Sequence, residues 1–257
     1  MVDYLMRDQA PLSEPVWRAI DEMVATVVKR NLVGRRFLHL VGPLGWGTEI
    51  APLVGFDEQD GAHVSAETSA YIPLETLDAR FLLRMKDLAR AEATAYSLDL
   101  GAVATAAVEL ARKEDALLIG GLMQNAEKGP MGDWSQMNKP FEAVAKAQAA
   151  LRSTGFDGPY ALLLNYGTYA QLASLAMHGQ REFKLVEQLF DAGVLRSPAV
   201  PEGQALIIDP SAWNVDMVVG QDIATAFLGN EGLSLSFQIL ETLALRIKRP
   251  GAAILLS

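Results

Sequence analysis

Residues 98–122 constrain the fold more than any other stretch, because they are the longest segment with helical periodicity. Apolar side chains recur there at intervals of three and four positions, which places them on one face of an α-helix. These side chains are Leu100, Val103, Ala107, Leu110, Leu117, Leu118 and Leu122. The charged positions 109 and 112–114 fall on the other side, which we expect to contact solvent or a partner. A helix of this length measures about 35 Å, so the sequence predicts a spine helix with other layers packed along it.

The composition excludes several classes of protein. Half of the 257 residues are hydrophobic, so the chain can bury a sizeable core. The formal net charge of −9 argues against general nucleic-acid binding, which needs clustered Lys and Arg. The chain contains no Cys, which excludes disulfides, thiolate nucleophiles and Cys-based zinc sites. It has neither a secretory signal nor an apolar run of the ~20 residues that a membrane span needs. We therefore expect a cytoplasmic protein that binds neither membranes nor nucleic acid.

The first part of the chain predicts an extended arm followed by one amphipathic helix. Residues 1–12 are mixed in character, and Ser13 is a suitable helix N-cap. Apolar side chains at positions 16, 17, 20, 24, 27 and 28 then follow one side of the helix. Four basic residues surround Gly34, namely Lys29, Arg30, Arg35 and Arg36. They are either a solvated helix end that offsets the helix dipole or a contact for an acidic partner segment.

Residues 52–83 differ in kind from the rest of the chain. The segment 52–72 is polar, contains Gly and has no helical periodicity, whereas the apolar residues Leu77, Ala79, Phe81 and Leu83 recur at every second position. This pattern predicts a long two-stranded excursion whose first limb is too polar to bury both faces. A two-stranded arm is only marginally stable on its own and usually lies on another chain. The segment is the first indication of assembly.

The second half of the chain predicts an α/β unit inserted into another layer. Strand patterns at 159–165, 205–208 and 215–219 and two short helices at 169–177 and 183–190 make up a unit over residues 157–228. Residues 233–256 alternate over much of their length and are interrupted by Pro250. We expect them to form a long strand pair that rejoins the spine helix.

A search for catalytic motifs is mostly negative. The three His residues are far apart and lack metal-ligand spacing, and none of the common nucleotide-binding, zinc-protease or serine-hydrolase motifs occurs. Glu114 and Asp115 are adjacent on the predicted helix and so point about 100° apart, which does not make a converging acid pair. His39 lies in a strand pattern, either on its polar face or as a ligand or partner contact. The sequence predicts no catalytic residue and no metal site, and therefore not an enzyme.

Short motifs in a fixed order carry a resemblance to a known family. They are Ala10-Pro11-Leu12 with Trp17 and Ile20-Asp21, Gly34-Arg35-Arg36-Phe37, Gly42-Pro43-Leu44-Gly45-Trp46, Pro73-Leu74 with Leu77 and Phe81, Gly158-Pro159-Tyr160 to Asn165, Val219-Gly220-Gln221-Asp222, and Glu241-Thr242 followed by Pro250 and Ile254-Leu255-Leu256. This series resembles the family 1 encapsulin shell proteins, also called the linocin or bacteriocin-like family. That family shares the fold of the HK97-type phage capsid protein, and the resemblance covers essentially the whole chain.

The resemblance implies an α+β, HK97 capsid-like fold and a structural function. Its parts correspond to residues 1–42 for the N-terminal arm and helix, 43–83 for the extended loop or E-loop, 84–156 for the P-domain with the spine helix, 157–228 for the A-domain and 229–257 for terminal strands that return to the P-domain. In the family the E-loop pairs with a neighbouring subunit. Many copies of the chain are therefore expected to assemble into a closed icosahedral shell, the encapsulin nanocompartment, in the cytoplasm.

Family members enclose cargo enzymes through a short C-terminal peptide of the cargo, which binds an interior groove beside the N-terminal helix. The resemblance assigns this groove to Val28, Leu32, Arg35, His39, Ile223 and Thr225. Its apolar residues are expected to take aliphatic side chains, and Arg35 is expected to bind polar or carboxylate groups of the peptide. At least one family member has Asp where this chain has His39, which affects the charge preference of the groove. The resemblance also places His178, Gly179, Gln180 and Arg181 near the five-fold pore.

The expected cargo is a ferritin-like protein or a dye-decolourising peroxidase, on the resemblance alone. Some members bind a flavin against a Trp that follows the E-loop. Lys86 occupies that position here, so we expect no flavin. Two alternatives remain at this point, a bacteriocin-like peptidase and a phage-type capsid protein that encloses nucleic acid. A monomeric α/β domain is a third, which leaves the polar excursion unexplained.

Overall fold

The computed structural model describes residues 3–59, 63–94, 96–177 and 180–257. Its helices are α1 (Glu14–Asn31), α2 (Met85–Ala93), α3 (Gly101–Asn125), α4 (Lys139–Ser153), α5 (Tyr166–Ser174) and α6 (Glu182–Glu187). Its strands are β1 (His39–Val41), β2 (Ile50–Gln59), β3 (His63–Pro73), β4 (Glu75–Arg84), β5 (Glu127–Gly129), β6 (Ala161–Leu164), β7 (Ala176–Met177), β8 (Gln180–Arg181), β9 (Val194–Arg196), β10 (Ala205–Ile208), β11 (Val215–Val219), β12 (Ala224–Glu231), β13 (Ser234–Ile247) and β14 (Ala253–Leu256). Single 3-10 turns occur at Arg7–Gln9 and Gly34–Arg36. Within these residues, no helix is both long and apolar enough to cross a membrane.

The predicted spine helix is confirmed as α3, a helix of 25 residues. Its apolar face is buried along its length, from Val103 to Leu122. The prediction for its charged side is wrong at Glu114, which is fully buried, and Asp115 beside it is buried as well. These carboxylates lie inside because they bind a turn that follows α1, as described below.

In the central sheet β1 pairs with β11, and β11 pairs with the end of β13. β12 pairs with the first half of β13, and β4 pairs with β13 along the opposite edge. All pairs are antiparallel except β1 with β11. Helices α1 and α3 pack on this sheet, and a cluster of aromatic rings joins the two layers. Trp17 of α1 meets Phe237 of β13 edge to face, with ring centroids 5.6 Å apart, and Phe237 stacks on Phe81 of β4 at 5.1 Å.

The second sheet has the order β5-β14-β10-β6-β9. One of its faces packs with the second half of α3 and the central sheet, and α4, α5 and α6 cover the other. The end of the chain therefore departs from the predicted strand pair. β13 lies in the central sheet and β14 in the second, since the chain crosses between them at Pro250 and at Gly251, whose φ is +92°.

The polar excursion forms a β-hairpin, but its two limbs are β2 and β3 and do not include residues 74–83. β2 and β3 pair antiparallel from Ile50 opposite Pro73 to Gln59 opposite His63, and this two-stranded sheet includes no other described strand. The alternating segment after it is β4, which joins the central sheet because its apolar side chains have a core to cover. We call β2 and β3 the arm.

Candidate functional site

A groove of about 470 Å³ lies between α1 and the start of β12. It is lined by Arg7, Asp21, Val24, Ala25, Val28, Arg35, Asp222, Ile223, Ala224 and Thr225. Four of the six residues assigned to the cargo groove from the sequence therefore meet in one cavity. These are Val28, Arg35, Ile223 and Thr225.

The remaining two predicted residues do not line the groove. Leu32 follows the last residue of α1 and is 4% exposed, because it packs into the core between α1, α3 and the central sheet. His39 is exposed on β1, opposite Asp216 of β11. Its exposure agrees with its interpretation as a polar-face strand residue.

The helical wall of the groove follows from the spacing of α1. Asp21, Val24, Ala25 and Val28 are separated by three or four residues, so they lie along one side of the helix. Val24 and Val28 are buried and contribute to the core, whereas Ala25 is exposed. The opposite wall is the start of edge strand β12. The groove thus has an apolar floor with an acidic residue on each wall, Asp21 and Asp222.

Arg35 is held at the end of the groove by three carboxylates. Its Nε donates to both oxygens of Glu114 at 3.0 Å, Nη1 donates to Asp222 at 2.8 Å, and Nη2 donates to Glu241 at 2.7 Å. Although burial of the guanidinium opposes its charge, these carboxylates raise the pKa of Arg35 above its ordinary value. The expectation that Arg35 offers a free cation to a peptide carboxylate needs correction, because its charge is already neutralised.

Glu241 brings a second buried carboxyl group to the same cation. Like Glu114, it is fully buried. Desolvation, followed by the proximity of the Glu114 carboxylate, raises the pKa of Glu241 well above its ordinary value. Its Oε1 has no hydrogen-bond partner among the described residues. Burial therefore favours the protonated form of Glu241, and one guanidinium faces three carboxyl groups, those of Glu114, Asp222 and Glu241.

Asp115 fixes the turn that carries Arg35. Its carboxylate accepts the N–H of Val33 at 3.0 and 3.1 Å and the N–H of Gly34 at 2.8 Å. Burial raises the pKa of Asp115 to about 6, although both N–H groups act in the opposite direction. Glu114 and Asp115 thus diverge along α3, as their adjacency predicts, but bind the same turn through different groups.

The N-terminal segment closes the other end of the groove, which the sequence did not indicate. Arg7 donates to both oxygens of Asp21 at 3.1 and 2.6 Å, and its guanidinium lies 4.1 Å from the ring centroid of Trp17. Nearby, the C=O of Leu5 accepts the N–H of Phe227 on β12 at 2.9 Å. The segment predicted as an extended arm is therefore attached to both walls of the groove.

The other predicted positions lie away from the groove elements. His178 and Gly179 are outside the described residues, while Gln180 and Arg181 form β8 opposite Met177 and Ala176 of β7. Lys86, which the resemblance places at the position of a flavin-stacking Trp, is exposed in the first turn of α2. In the part of the chain that the structure describes, no group of three or more His, Asp or Glu side chains is arranged to hold a metal ion.

Comparison with known proteins gives consistent matches. The Linocin_M18 family, described as "Encapsulating protein for peroxidase", matches residues 2–244. The type 1 encapsulin shell protein EncA of Myxococcus xanthus is 31% identical, and the match covers 98% of this chain and 96% of EncA.

Solved capsid-like particles have the same fold. The virus-like particle of Pyrococcus furiosus matches with a TM-score of 0.82 at 20% identity, over 94% of this chain and 99% of that one. The capsid of the Myoviridae phage XM1 matches with a TM-score of 0.60 at 12% identity, over 86% and 90% of the two chains. The predicted α+β, HK97-type capsid fold is therefore confirmed.

Proposed function

The chain belongs to the family of encapsulin shell proteins, and from this premise we propose that the groove between α1 and β12 binds a C-terminal peptide of a cargo enzyme. Proteins of this family are structural subunits of capsid-like particles, so the chain is a shell protein and not an enzyme. The proposal extends this to a closed icosahedral nanocompartment with the groove on its inner surface. The observation that carries it is the meeting of Val28, Arg35, Ile223 and Thr225 in one cavity.

The chemistry of the groove suits a short extended peptide. Val24, Val28 and Ile223 offer an apolar surface for aliphatic side chains. Asp222 is half exposed and binds Arg35 through Oδ1, so it can still accept a hydrogen bond from a ligand. Because the cluster around Arg35 carries an excess of negative charge, we expect the peptide to present hydrogen-bond donors or a cation here. A free Arg35 would instead favour a carboxylate group of the peptide.

The class of cargo remains part of the proposal. The family description names a peroxidase as the enclosed protein, which supports a dye-decolourising peroxidase as the first candidate and a ferritin-like protein as the second. We also propose that the shell carries no flavin, since Lys86 offers no aromatic ring for stacking. The pore assignment of residues 178–181 likewise stays a proposal.

The proposal is tested by co-expression of the chain with each candidate cargo that retains its own C-terminal segment. We expect uniform hollow particles of megadalton mass by light scattering and negative stain, with the cargo retained through purification and no flavin absorbance. Deletion of the C-terminal segment of the cargo is expected to abolish its retention and leave the particles intact. Particles that contain nucleic acid and exclude both candidates would contradict the proposal and favour a phage-type capsid.

Two neighbouring positions on α1 provide a matched pair of groove variants. Ala25 is exposed and lines the groove, whereas Thr26 is exposed and does not line it. Ala25→Trp fills the groove without a change in the core, so we expect at least a tenfold loss of cargo per particle. Thr26→Trp adds the same side chain about 100° around the helix and should load cargo normally. Equal loading of the two variants would show that the peptide binds elsewhere.

A further inference from the structure

The base of the arm is only partly packed on the body of the subunit: Ala51 of β2 is fully buried, but the side of the base that faces α3 stands off from it. Beneath it lies a cleft of about 520 Å³ between the arm, α3 and β13. The cleft is lined by Leu53, Ile72, Pro73, Glu75, Ala116, Leu117, Gly120, Gly121, Gln124, Asn125, Ala244, Leu245 and Ile247. Side-chain packing on α3 therefore does not fill the space under the arm, and contact with α3 alone does not set the direction of the arm.

That support lies where the central sheet loses a strand. β4 pairs with β13 up to Glu75 opposite Leu243. Beyond this point, β13 continues to Ile247 with β11 on its other side. The strand that precedes β4 is β3 of the arm, and the arm turns away from the sheet here. Next to the vacated edge, Arg246 Nη1 donates to the C=O of Pro52 on β2 at 2.8 Å.

Arg246 is itself fixed by a buried partner. Its Nε and Nη2 donate to the two oxygens of Asp216 on β11, both at 2.8 Å. Asp216 is fully buried and also pairs with Lys248 at 2.6 Å. A two-point bond of this kind sets the orientation of the guanidinium plane. The remaining nitrogen, Nη1, then points from a rigid pair of strands to the arm.

We propose that Arg246 is a positioning residue for shell assembly: it fixes the direction in which the arm leaves the subunit to meet the next copy. A small change in direction at this contact causes a large displacement at the tip of the arm. A strand of ten residues such as β2 is about 33 Å long. A rotation of about 10° at its base therefore moves its tip by about 6 Å. A closed shell repeats one contact geometry at each symmetry-related interface, and an error of this size prevents closure. The role does not depend on the cargo groove.

The test compares Arg246→Met with two controls in the full-length chain. Lys248→Met removes the other cation on Asp216; Lys248 donates to the C=O of Ala212 and makes no hydrogen bond to the part of the arm that the structure describes. Pro52→Ala keeps the backbone C=O that Arg246 binds. For Arg246→Met we expect at least a tenfold fall in the fraction of protein in closed particles, measured by light scattering and negative stain, with unchanged circular dichroism. Both controls should form particles of normal size.

Hydrogen exchange adds a readout that a general loss of stability does not reproduce. In unassembled Arg246→Met subunits, amides of residues 50–59 and 63–73 should exchange about tenfold faster than in unassembled wild-type subunits. The amides of β11 should keep their protection. If Arg246→Met does not fold because Asp216 is left buried, the double variant Asp216→Leu/Arg246→Met removes both charges. It should fold and still fail to close. Normal particles from either variant, or an equal defect in Lys248→Met, would overturn the proposal.

Discussion

Glu241 Oε2 accepts a hydrogen bond from Arg35 Nη2 at 2.7 Å, and this bond joins the longest strand to the turn that follows α1. Glu114 of α3 binds the same guanidinium through Nε at 3.0 Å. Two fully buried carboxyl groups thus share one cation. Breaking a buried pair of this kind is costly, because a charge is left without compensation. The arrangement ties the stability of the subunit to the protonation of Glu241.

We predict that the thermal midpoint of the protein falls as the pH rises above neutral. An unfolded Glu ionises near pH 4.3, whereas burial and Glu114 keep folded Glu241 protonated. The folded state therefore binds more protons, and stability declines with pH from about 4.3 until the raised pKa is passed. Within this window the loss is at most about 1.4 kcal/mol per pH unit, or about 3–5 °C.

Scanning fluorimetry between neutral and alkaline pH measures this effect. Glu241→Gln is neutral at every pH and should flatten the dependence. Asp222→Asn, which changes a half-exposed partner of Arg35, should leave the slope close to that of the wild type. A wild-type midpoint that stays constant over the alkaline range would contradict the prediction.

The backbone bonds of Asp115 support a second prediction, on Asp115→Ala. The substitution leaves the buried N–H groups of Val33 and Gly34 without an acceptor, at about 1–3 kcal/mol for each group. Removal of a carboxylate whose pKa is raised by burial offsets part of this loss. We expect a net fall in the thermal midpoint of about 5–10 °C. Glu109→Ala, at an exposed position of the same helix, should change it by less than about 2 °C.

The local pattern of the sequence was sufficient for the elements that bury one regular face. The spacing of apolar residues predicts α3, and the alternation at 77–83 identifies a strand that becomes β4. It could not tell that this strand joins the central sheet while the polar segment before it forms the arm alone. That choice depends on the pairing of β4 with β13, which lies some 150 positions later in the chain.

The groove shows the same limit. The resemblance assigned both Val28 and Leu32 to the groove, and Val28 lines it because it lies on the side of α1 that faces β12. Leu32 does not line it, because α1 ends at Asn31 and the next side chain turns into the core. The charge state of Arg35 depends on acids 79, 187 and 206 positions away along the chain. Glu114 and Asp115 lie in a run of four charged residues, between Leu110 and Leu117 on the spine helix; their position between apolar residues of that helix was the only available signal, since buried carboxylates need partners.

Phe237 supports a third prediction, because it is the common neighbour of three aromatic rings. It is fully buried and contacts Trp17, Phe81 and Phe227 at centroid distances of 5.6, 5.1 and 5.4 Å. Phe237→Ala leaves a cavity between α1 and the central sheet, which costs about 3–5 kcal/mol. We expect a thermal midpoint lower by about 10–15 °C and a reduced yield of particles. Phe237→Leu fills most of the cavity and should recover more than half of the loss.

The final prediction concerns Arg35→Lys, which separates the structural role of Arg35 from direct peptide binding. Lys retains the charge but offers one nitrogen, which cannot reach Glu114, Asp222 and Glu241 together in the fork geometry of Arg. The buried Glu114 carboxylate then loses its two-point bond to the guanidinium, so we expect a loss of about 3 kcal/mol and a midpoint lower by about 6–12 °C. If Arg35 acts through this cluster, particles of Arg35→Lys that survive purification at low temperature should load cargo within about twofold of the wild type. Ala25→Trp shows the opposite combination: it keeps its stability but does not load cargo. A stable Arg35→Lys shell that loses its cargo would instead show that the guanidinium contacts the peptide directly.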